Sequence, residues 1–494
     1  MRSAGILLPV FSLPGNEGIG TLGENAYSFI DFLFESKQKY WHLPPISHVN
    51  STGSPYCTYS ILAGNIYLID IKKLVEQNLL DKKSYQKYIK NFYTDNLKIN
   101  YKKLDIYKFY ILEQAFKQSY NKIKHNIEKF RANNSFWLED YTLYICLKKY
   151  VFENKPWQQW DDAVKNRKKL TLDIYKEQLK DKIDFWVFLQ YLFYSQWFAL
   201  KKYANSKNIK ILGEFPFYCE LDSANVWAKP NLFMLDKDKH PTQKLFHEQQ
   251  VIYNKYSFNT KAVYNLKELK KTNYRFLTKK IQFIYKVYDE LIIDNFDQYD
   301  NYKVIEKDSA SGKFELQKFT EKPGIKDAVF KILETRILFF KPILYDCNYN
   351  KKPNNKNYKF PIIKIMQSAF SEEKCEICLP HNYSSTDVIF TSSYVFSNLK
   401  QWKNKLPSIE KKYCCQYIKP TSKTKFNYAF ITSAYQSAAE KIITPIQDVV
   451  SLRNKMALYN TSKKATNWCW RIPEKKLNKQ ISKKLNQLSN LYGR

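Results

Sequence analysis

The sequence predicts an α/β fold, a (β/α)8 TIM-type barrel with large, mostly helical insertions between its strands. Short apolar runs bounded by Gly, Pro, Asn or Ser recur along the chain. Amphipathic segments lie between these runs, and this alternation is typical of βα units around a parallel sheet. The chain has 494 residues, 44% of them hydrophobic, which is enough for one large barrel with a sizeable core.

The apolar runs give eight candidate strands, the number that a closed barrel of this type requires. We predict them at 5–9, 40–44, 209–214, 291–294, 342–345, 361–365, 388–391 and 428–431. Together they span much more chain than the ~250 residues of a typical barrel, so long insertions must separate some of them.

The domain organisation follows from this spacing. We predict a single barrel over 1–494, with a helical insertion at 72–205 and a smaller loop and helix insertion at 221–290. Within the larger insertion, 107–120 and 137–150 carry apolar residues at three- and four-residue intervals, as amphipathic helices do.

The chain is strongly basic, with 80 Lys and Arg against 47 Asp and Glu and a formal net charge of +33. Such a balance raises the possibility of a nucleic-acid or anionic-membrane partner. However, only eight of the basic residues are Arg, the residue favoured for bidentate phosphate contacts, and Lys, Asn, Tyr and Ile are enriched together. We therefore favour a compositional bias and predict no specific nucleic-acid partner and no membrane partner. The sequence identifies no protein partner.

The nine cysteines have no framework spacing, which favours free thiols and a cytoplasmic protein. Residues 375–378 form one Cys-x-x-Cys motif, but a zinc site needs a second pair of ligands, and Cys414 and Cys415 are adjacent rather than spaced. We predict no metal. No stretch approaches the ~20 apolar residues of a membrane span. Pro9 and Pro14 interrupt the N-terminal apolar run, which we interpret as the first strand rather than a signal peptide.

Chemistry in such barrels lies at the carboxyl ends of the strands. Asp294 closes the run 291–294, a position that suits a nucleophile, although a helix N-cap or a loop hydrogen bond is an equally simple role. Retaining glycoside chemistry needs a second carboxyl group roughly 5 Å away. The strand ends at 345 and 391–396 hold no carboxylate, which indicates a damaged catalytic centre.

Aromatic side chains are candidates for stacking on sugar rings. Tyr56, Trp227, Trp468 and Trp470 are the ones we single out. In a chain with 17% aromatic residues, packing in the core is the simpler role for any one of them.

Ordered sequence blocks resemble those of the 4-α-glucanotransferases, the amylomaltases or disproportionating enzymes of glycoside hydrolase family 77. The opening run 2–9 (RSAGILLP) is followed by SLP at 12–14 and GIG at 18–20. Further blocks are GSPY at 53–56, AGN at 63–65, YLID at 67–70, WLEDY at 137–141, DSANVW at 222–227, LPHNY at 379–383, QDV at 447–449 and NWCWR at 467–471. The resemblance spans essentially the whole chain.

The resemblance implies a cytosolic barrel that cuts an α-1,4-glucan or maltodextrin, holds the glucosyl fragment on an Asp and transfers it to another sugar, without a cofactor. Carried over by motif, the substrate-binding positions are Ser54, Tyr56, Trp227, Asn467 and Trp468. The third strand carries Glu214 where the family has Asp, and the family's loop motif is barely recognisable at 253–262.

The catalytic positions depart from the family pattern. The nucleophile position holds Asp294, but the Arg two residues earlier is replaced by Ile292. The acid/base position holds Tyr345 instead of Glu, and the stabiliser position holds Val395 instead of Asp. Asp346 neighbours Tyr345, but adjacent strand residues point to opposite faces. We therefore expect a glucan-binding or structural pseudoenzyme; a working transferase with substitute residues and a basic nucleic-acid-binding protein are the alternatives.

Overall fold

The computed structural model describes residues 2–92, 97–245, 260–294, 296–308, 314, 319–337, 340–345, 360–370, 375–392, 398–422, 424–452 and 468–494. All structural statements below concern this part of the chain.

Eight parallel strands form the central sheet. They are β1 (Ser3–Leu7), β2 (Tyr40–Leu43), β3 (Lys210–Phe215), β4 (Glu290–Ile293), β5 (Ile343–Leu344), β6 (Ile363–Ile365), β7 (Val388–Phe390) and β8 (Lys441–Pro445). Their spatial order is β5-β4-β3-β2-β1-β8-β7-β6. A parallel bridge between Leu344 and Ile362, in which the Leu344 amide donates to the Pro361 carbonyl at 2.8 Å, joins the two outer strands. The sheet is therefore closed into the predicted (β/α)8 barrel.

Seven of the eight predicted strands coincide with observed ones, but the prediction at 428–431 is wrong. These residues lie in the helix Phe426–Gln436, which buries Phe426, Phe430 and Ala434 at four-residue spacing. The eighth strand is Lys441–Pro445, buried throughout and paired with both β1 and β7. A short apolar run does not distinguish a strand from one face of a buried helix, which is why the assignment failed.

Aliphatic side chains fill the barrel interior. Alternate residues of each strand point inward, as the two-residue period of a strand requires. The interior cluster consists of Leu7, Tyr40, Leu212, Ile292, Ile343, Ile363, Ile365, Val388, Phe390 and Ile443, with Tyr345 packed against it. The barrel is thus a solid core, and the functional groups must lie at its carboxyl-terminal mouth.

Helices account for most of the remaining structure. They are Glu24–Glu35, Ile71–Glu76, Lys82–Ile89, Tyr101–Lys103, Phe109–Cys146, Asp162–Lys165, Lys169–Gln178, Lys180–Ser206, Ala224–Ala228, Leu266–Lys271, Arg275–Val287, Asp297–Asp300, Lys326–Arg336, Leu399–Lys405, Ser408–Ile418, Phe426–Gln436, Ile446–Val449 and Lys479–Leu491. A small antiparallel sheet is formed by Gln243–Leu245, Asn301–Glu306 and Thr320–Pro323. None of the helices described is long and apolar enough to cross a membrane.

Long helices dominate the segment 72–205. The two stretches predicted as helices, 107–120 and 137–150, belong to one helical run made of Phe109–Cys146 and the wider turns Leu104–Lys108 and Leu147–Val151 at its ends. Arg131 links this run to the helix Lys180–Ser206, since its guanidinium lies 2.7 Å from Glu139 and 3.0 Å from Asp184. The boundaries 72–205 and 221–290 stay predictions.

Candidate active site

Asp294 and Tyr345 lie side by side at the mouth of the barrel. Ile292 and Ile293 of β4 pair in register with Ile343 and Leu344 of β5, so the next residue on each strand is Asp294 or Tyr345. The Tyr345 amide donates to the Ile293 carbonyl at 3.0 Å. The two positions that sequence comparison assigns to nucleophile and acid/base are therefore neighbours in the structure.

Asp294 and Tyr345 each lie two residues after an inward-facing residue. Ile292 and Ile343 belong to the interior cluster, and Tyr345 packs against that cluster. The strand period then places Asp294 on the same side as Ile292. Tyr345 thus lies on the inward side of the barrel mouth, beside Asp294. Ile292, which the sequence resemblance aligns with an Arg, packs in the apolar interior one layer below Asp294.

A buried polar pair lies inside the barrel, one layer of inward-facing side chains below Asp294. His42 of β2 and Glu214 of β3 approach to 2.9 Å between Nε2 and Oε1, with side-chain exposures of 0% and 6%. The Tyr56 hydroxyl donates to the other Glu214 oxygen. The His42 ring meets the Phe390 ring edge-on at 5.1 Å. Burial of a carboxylate is tolerated only with such partners, so these contacts hold Glu214 in place.

Sequence reasoning missed His42. It lies in the predicted strand 40–44, two residues after Tyr40, whose side chain belongs to the interior cluster. The two-residue period could have placed His42 on the same inward face, opposite the strand that carries Glu214. Parallel pairing of β2 with β3 sets His42 against Leu212 and brings Glu214 within reach.

The loop carrying Ser54 and Tyr56 is fixed to the barrel mouth. The Ser54 hydroxyl accepts from the Tyr56 amide at 3.3 Å. Lys261 contacts both the Tyr56 carbonyl and the Glu220 carboxylate. Burial is the largest effect on Lys261 and opposes its protonation, but the charge and hydrogen bond of Glu220 and the charges of neighbouring groups together outweigh it and raise the pKa of the lysine. Tyr56 is half-buried and also meets Trp468 edge-on, with ring centroids 5.7 Å apart.

Trp227, which the resemblance assigns to substrate binding, lies in the core of the structure. It is fully buried, with no exposed ring face. The Arg167 guanidinium lies 4.1 Å from its ring, and its indole N–H donates to the Val164 carbonyl at 3.1 Å. Trp468 and Trp470 are also nearly buried, at 5% and 3% exposure. Of the four aromatic candidates, Tyr56 keeps the most accessible ring.

A buried carboxylate, Asp448, ties the ends of β7 and β8 together. The Ser392 hydroxyl donates to one of its oxygens, and the Leu399 amide donates to the other at 2.6 Å. Burial raises the pKa of Asp448 to about 7, against the opposing effect of these two hydrogen bonds. Ser392 and Leu399 flank the segment that contains Val395.

Several predicted positions lie outside the described residues. These are Val395, Asn467, Asp346 and the loop 253–259. In the part of the chain that is described, no three His, Cys, Asp or Glu side chains lie where they could hold a metal ion together. That no metal or cofactor takes part stays a prediction.

Comparison with known proteins gives one consistent result. The family model described as 4-alpha-glucanotransferase matches residues 8–477. A 4-alpha-glucanotransferase of Clostridium butyricum is 34% identical, over 98% of this chain and 99% of that protein. The 4-alpha-glucanotransferase of Streptococcus pneumoniae TIGR4 is 29% identical, over 100% and 97%.

Solved structures agree. The amylomaltase from Streptococcus agalactiae in complex with acarbose superposes with a TM-score of 0.90 at 27% identity, covering 100% of both chains. The amylomaltase from Corynebacterium glutamicum, at 12% identity and a TM-score of 0.74 over 99% of this chain and 75% of that one, shares the fold. The chain therefore belongs to the 4-alpha-glucanotransferase family.

Proposed function

We propose that this protein is an α-1,4-glucan-binding member of the family that has lost most or all of its transferase activity. The observation that carries the proposal is the phenol of Tyr345 beside Asp294, at the inward position where retaining chemistry needs a carboxyl group. A retaining glycosidase holds its two carboxyl groups ~5–5.5 Å apart, one as nucleophile and one as proton donor.

A tyrosine is a poor substitute for that proton donor. Its ordinary pKa is about 10, far from the near-neutral value that suits a general acid, and loss of general acid catalysis slows a reaction by ~10²–10⁴-fold. The Val395 position adds a second loss, because an aliphatic side chain cannot stabilise a positively charged transition state. The effects of substitutions within one catalytic unit are not additive. Even so, these positions retain little beyond glucan binding and the carboxylate of Asp294.

The surroundings of Asp294 support the same conclusion. Ile292 offers no charge to keep Asp294 ionised and oriented. Glu214, on the adjacent strand β3, is the substitute acid that an active enzyme would most simply use. However, its two oxygens contact His42 and Tyr56, so it is held by partners of its own one layer below Asp294.

Glucan binding is supported by the related proteins and by the retained Tyr56 loop. The Streptococcus agalactiae amylomaltase binds acarbose, and this chain matches its whole length. Tyr56 keeps a half-buried ring at the barrel mouth, anchored by Glu214 and Lys261. Among the four aromatic candidates, all of them in the described part of the chain, only Tyr56 keeps an accessible ring, so we expect weak binding.

The direct test of activity is incubation of the purified protein with maltotriose. We expect no ladder of longer maltodextrins above that of an Asp294→Ala control. A ladder in the parent that disappears in the control would show a working transferase and overturn the proposal.

Binding is tested separately by calorimetry with maltoheptaose. Tyr56→Ala should weaken binding, whereas Tyr56→Phe, which keeps the ring and loses only the bond to Glu214, should change it less. If no heat of binding is measured at millimolar maltoheptaose, the protein does not bind glucan and only a structural role is left.

A repair experiment tests the assignment of the three altered positions. Ile292→Arg, Val395→Asp and Tyr345→Glu together restore an orienting cation, a stabiliser and a proton donor around Asp294, and should produce measurable transfer. The single changes should do almost nothing, because each completes only part of a joint unit. Equal activity in the parent and the triple variant would mean that the catalytic centre lies elsewhere.

A further inference from the structure

The Cys-x-x-Cys motif has no part in the glucan site, yet the fold brings its two thiols into contact. Cys375 and Cys378 lie in the connection between β6 and β7, at the start and end of the 3-10 turn Glu376–Cys378. Their sulfur atoms are 2.9 Å apart, and the two residues are 3% and 0% exposed. A disulfide bond is about 2.05 Å long, so closing it requires the sulfurs to approach by only about 0.9 Å.

The turn that carries the pair is well anchored. The Cys375 amide donates to the Ser368 carbonyl at 3.2 Å, and the Cys378 amide closes the turn onto the Cys375 carbonyl at 2.9 Å. The Tyr383 hydroxyl donates to the Cys378 carbonyl. These hydrogen bonds therefore hold the two thiols together.

A structural zinc site is the other common use of this motif, and the surroundings do not favour it. Zinc takes four ligands, usually two such pairs. Cys414 belongs to the same buried cluster, but no third Cys, His, Asp or Glu of the described chain joins the pair in a metal-binding group. Two thiols held 2.9 Å apart are suited to oxidation to a disulfide.

We propose that Cys375 and Cys378 are a redox-active dithiol that closes reversibly to a disulfide by exchange with a small disulfide such as oxidised glutathione. Cys375 is the entry point, because it alone of the two has any exposed surface. The contact with Cys375 and burial both raise the pKa of Cys378.

The reaction has two exchange steps. The Cys375 thiolate attacks a sulfur of oxidised glutathione, so a mixed disulfide forms on Cys375 and one glutathione leaves as its thiolate and takes up a proton. Cys378 then loses its proton to solvent and attacks the Cys375 sulfur, which forms the Cys375–Cys378 bond and releases the second glutathione. Two protein thiols are oxidised, and one glutathione disulfide is reduced to two thiols.

The test equilibrates the full-length protein in buffers of increasing oxidised-to-reduced glutathione ratio, quenches with acid, alkylates under denaturing conditions and maps the peptides by mass. We expect Cys375 and Cys378 to lose alkylation together, in a peptide lighter by two hydrogen atoms than the unalkylated dithiol, and to regain it after reduction. Cys414, equally buried in the same cluster, should stay alkylated throughout.

Variants separate the two steps. Cys378→Ser should trap the mixed disulfide with glutathione on Cys375, and Cys414→Ser should leave closure unchanged. The proposal is overturned if both thiols stay fully alkylated at the most oxidising ratio, or if Cys375 links to Cys414 instead. It is also overturned if the purified parent carries zinc that the Cys378→Ser variant lacks.

Discussion

Replacing Asp448 by Asn should change how the stability of the protein depends on pH. Asn has nearly the same shape, its side-chain oxygen can still accept from the Leu399 amide, and its N–H2 group can donate to the Ser392 hydroxyl. The substitution therefore removes the charge of a buried carboxyl group while keeping its two contacts.

The size and sign follow from the pKa of Asp448, which burial raises from 3.8 to about 7 in the folded protein. At pH values between these two, the Asp448 carboxyl group is ionised in the unfolded chain but protonated in the folded protein. The free energy of unfolding therefore falls as pH rises. Each pH unit contributes 1.36 kcal/mol, so the loss attributable to this group is on the order of 4 kcal/mol and is complete above about pH 7. An Asn at this position does not titrate.

Urea unfolding of parent and variant at a series of pH values measures the effect. The free energy of unfolding of Asp448→Asn relative to the parent should rise by about 4 kcal/mol between pH 4 and pH 8. Because the comparison is a difference, other titrating groups cancel. Asp173→Asn, at an exposed carboxylate paired with Lys176, is the matched control and should stay nearly flat. A constant or falling difference for Asp448→Asn would refute the reasoning.

Three further predictions concern the core, the barrel interior and the charge. Trp227→Ala should lower the free energy of unfolding by about 3–5 kcal/mol, because it empties a fully buried site, and a smaller loss in urea unfolding would mean that the site collapses. Ile292→Arg alone should destabilise the protein in the same assay, since a larger, charged side chain replaces a residue packed in the interior cluster; adding Tyr345→Glu should recover part of the loss by supplying a further carboxylate beside Asp294 and Glu214. In electrophoretic mobility assays, any DNA or RNA binding should be non-specific and steeply lost as salt rises, and a sequence-selective complex at about 0.2 M salt would contradict this.

Much of the barrel could be predicted because its strands are short apolar runs with clear boundaries. The run 291–294 is an example: three buried aliphatic residues end at a carboxylate, and the observed strand is Glu290–Ile293. The run 428–431 shows the limit of this reasoning. Over four residues a strand and the buried side of a helix have the same composition, and only the longer pattern of Phe426–Gln436 distinguishes them.

The placement of residues at the barrel mouth was predictable where it depends on position along a strand, and not where it depends on contacts between distant segments. Asp294 and Tyr345 follow directly from strand ends. The bond between Tyr56 and Glu214 joins residues 158 positions apart, and no local pattern encodes it. The burial of Trp227 likewise depends on Arg167 and Val164, which belong to a segment some 60 residues earlier in the chain.

The pairing of β1 with β8 has a consequence for synthesis. Ser3 lies opposite Lys441, so β1 leaves the ribosome long before β8, its partner on one side. At translation rates of about 5–20 residues per second, β1 waits on the order of 20–90 s for that partner. During this interval one edge of β1 is unpaired, although β2 can cover the other. The open edge of β1 is therefore the part of this strand pair most exposed to unwanted strand pairing during synthesis, and a chaperone bound there would block such pairing.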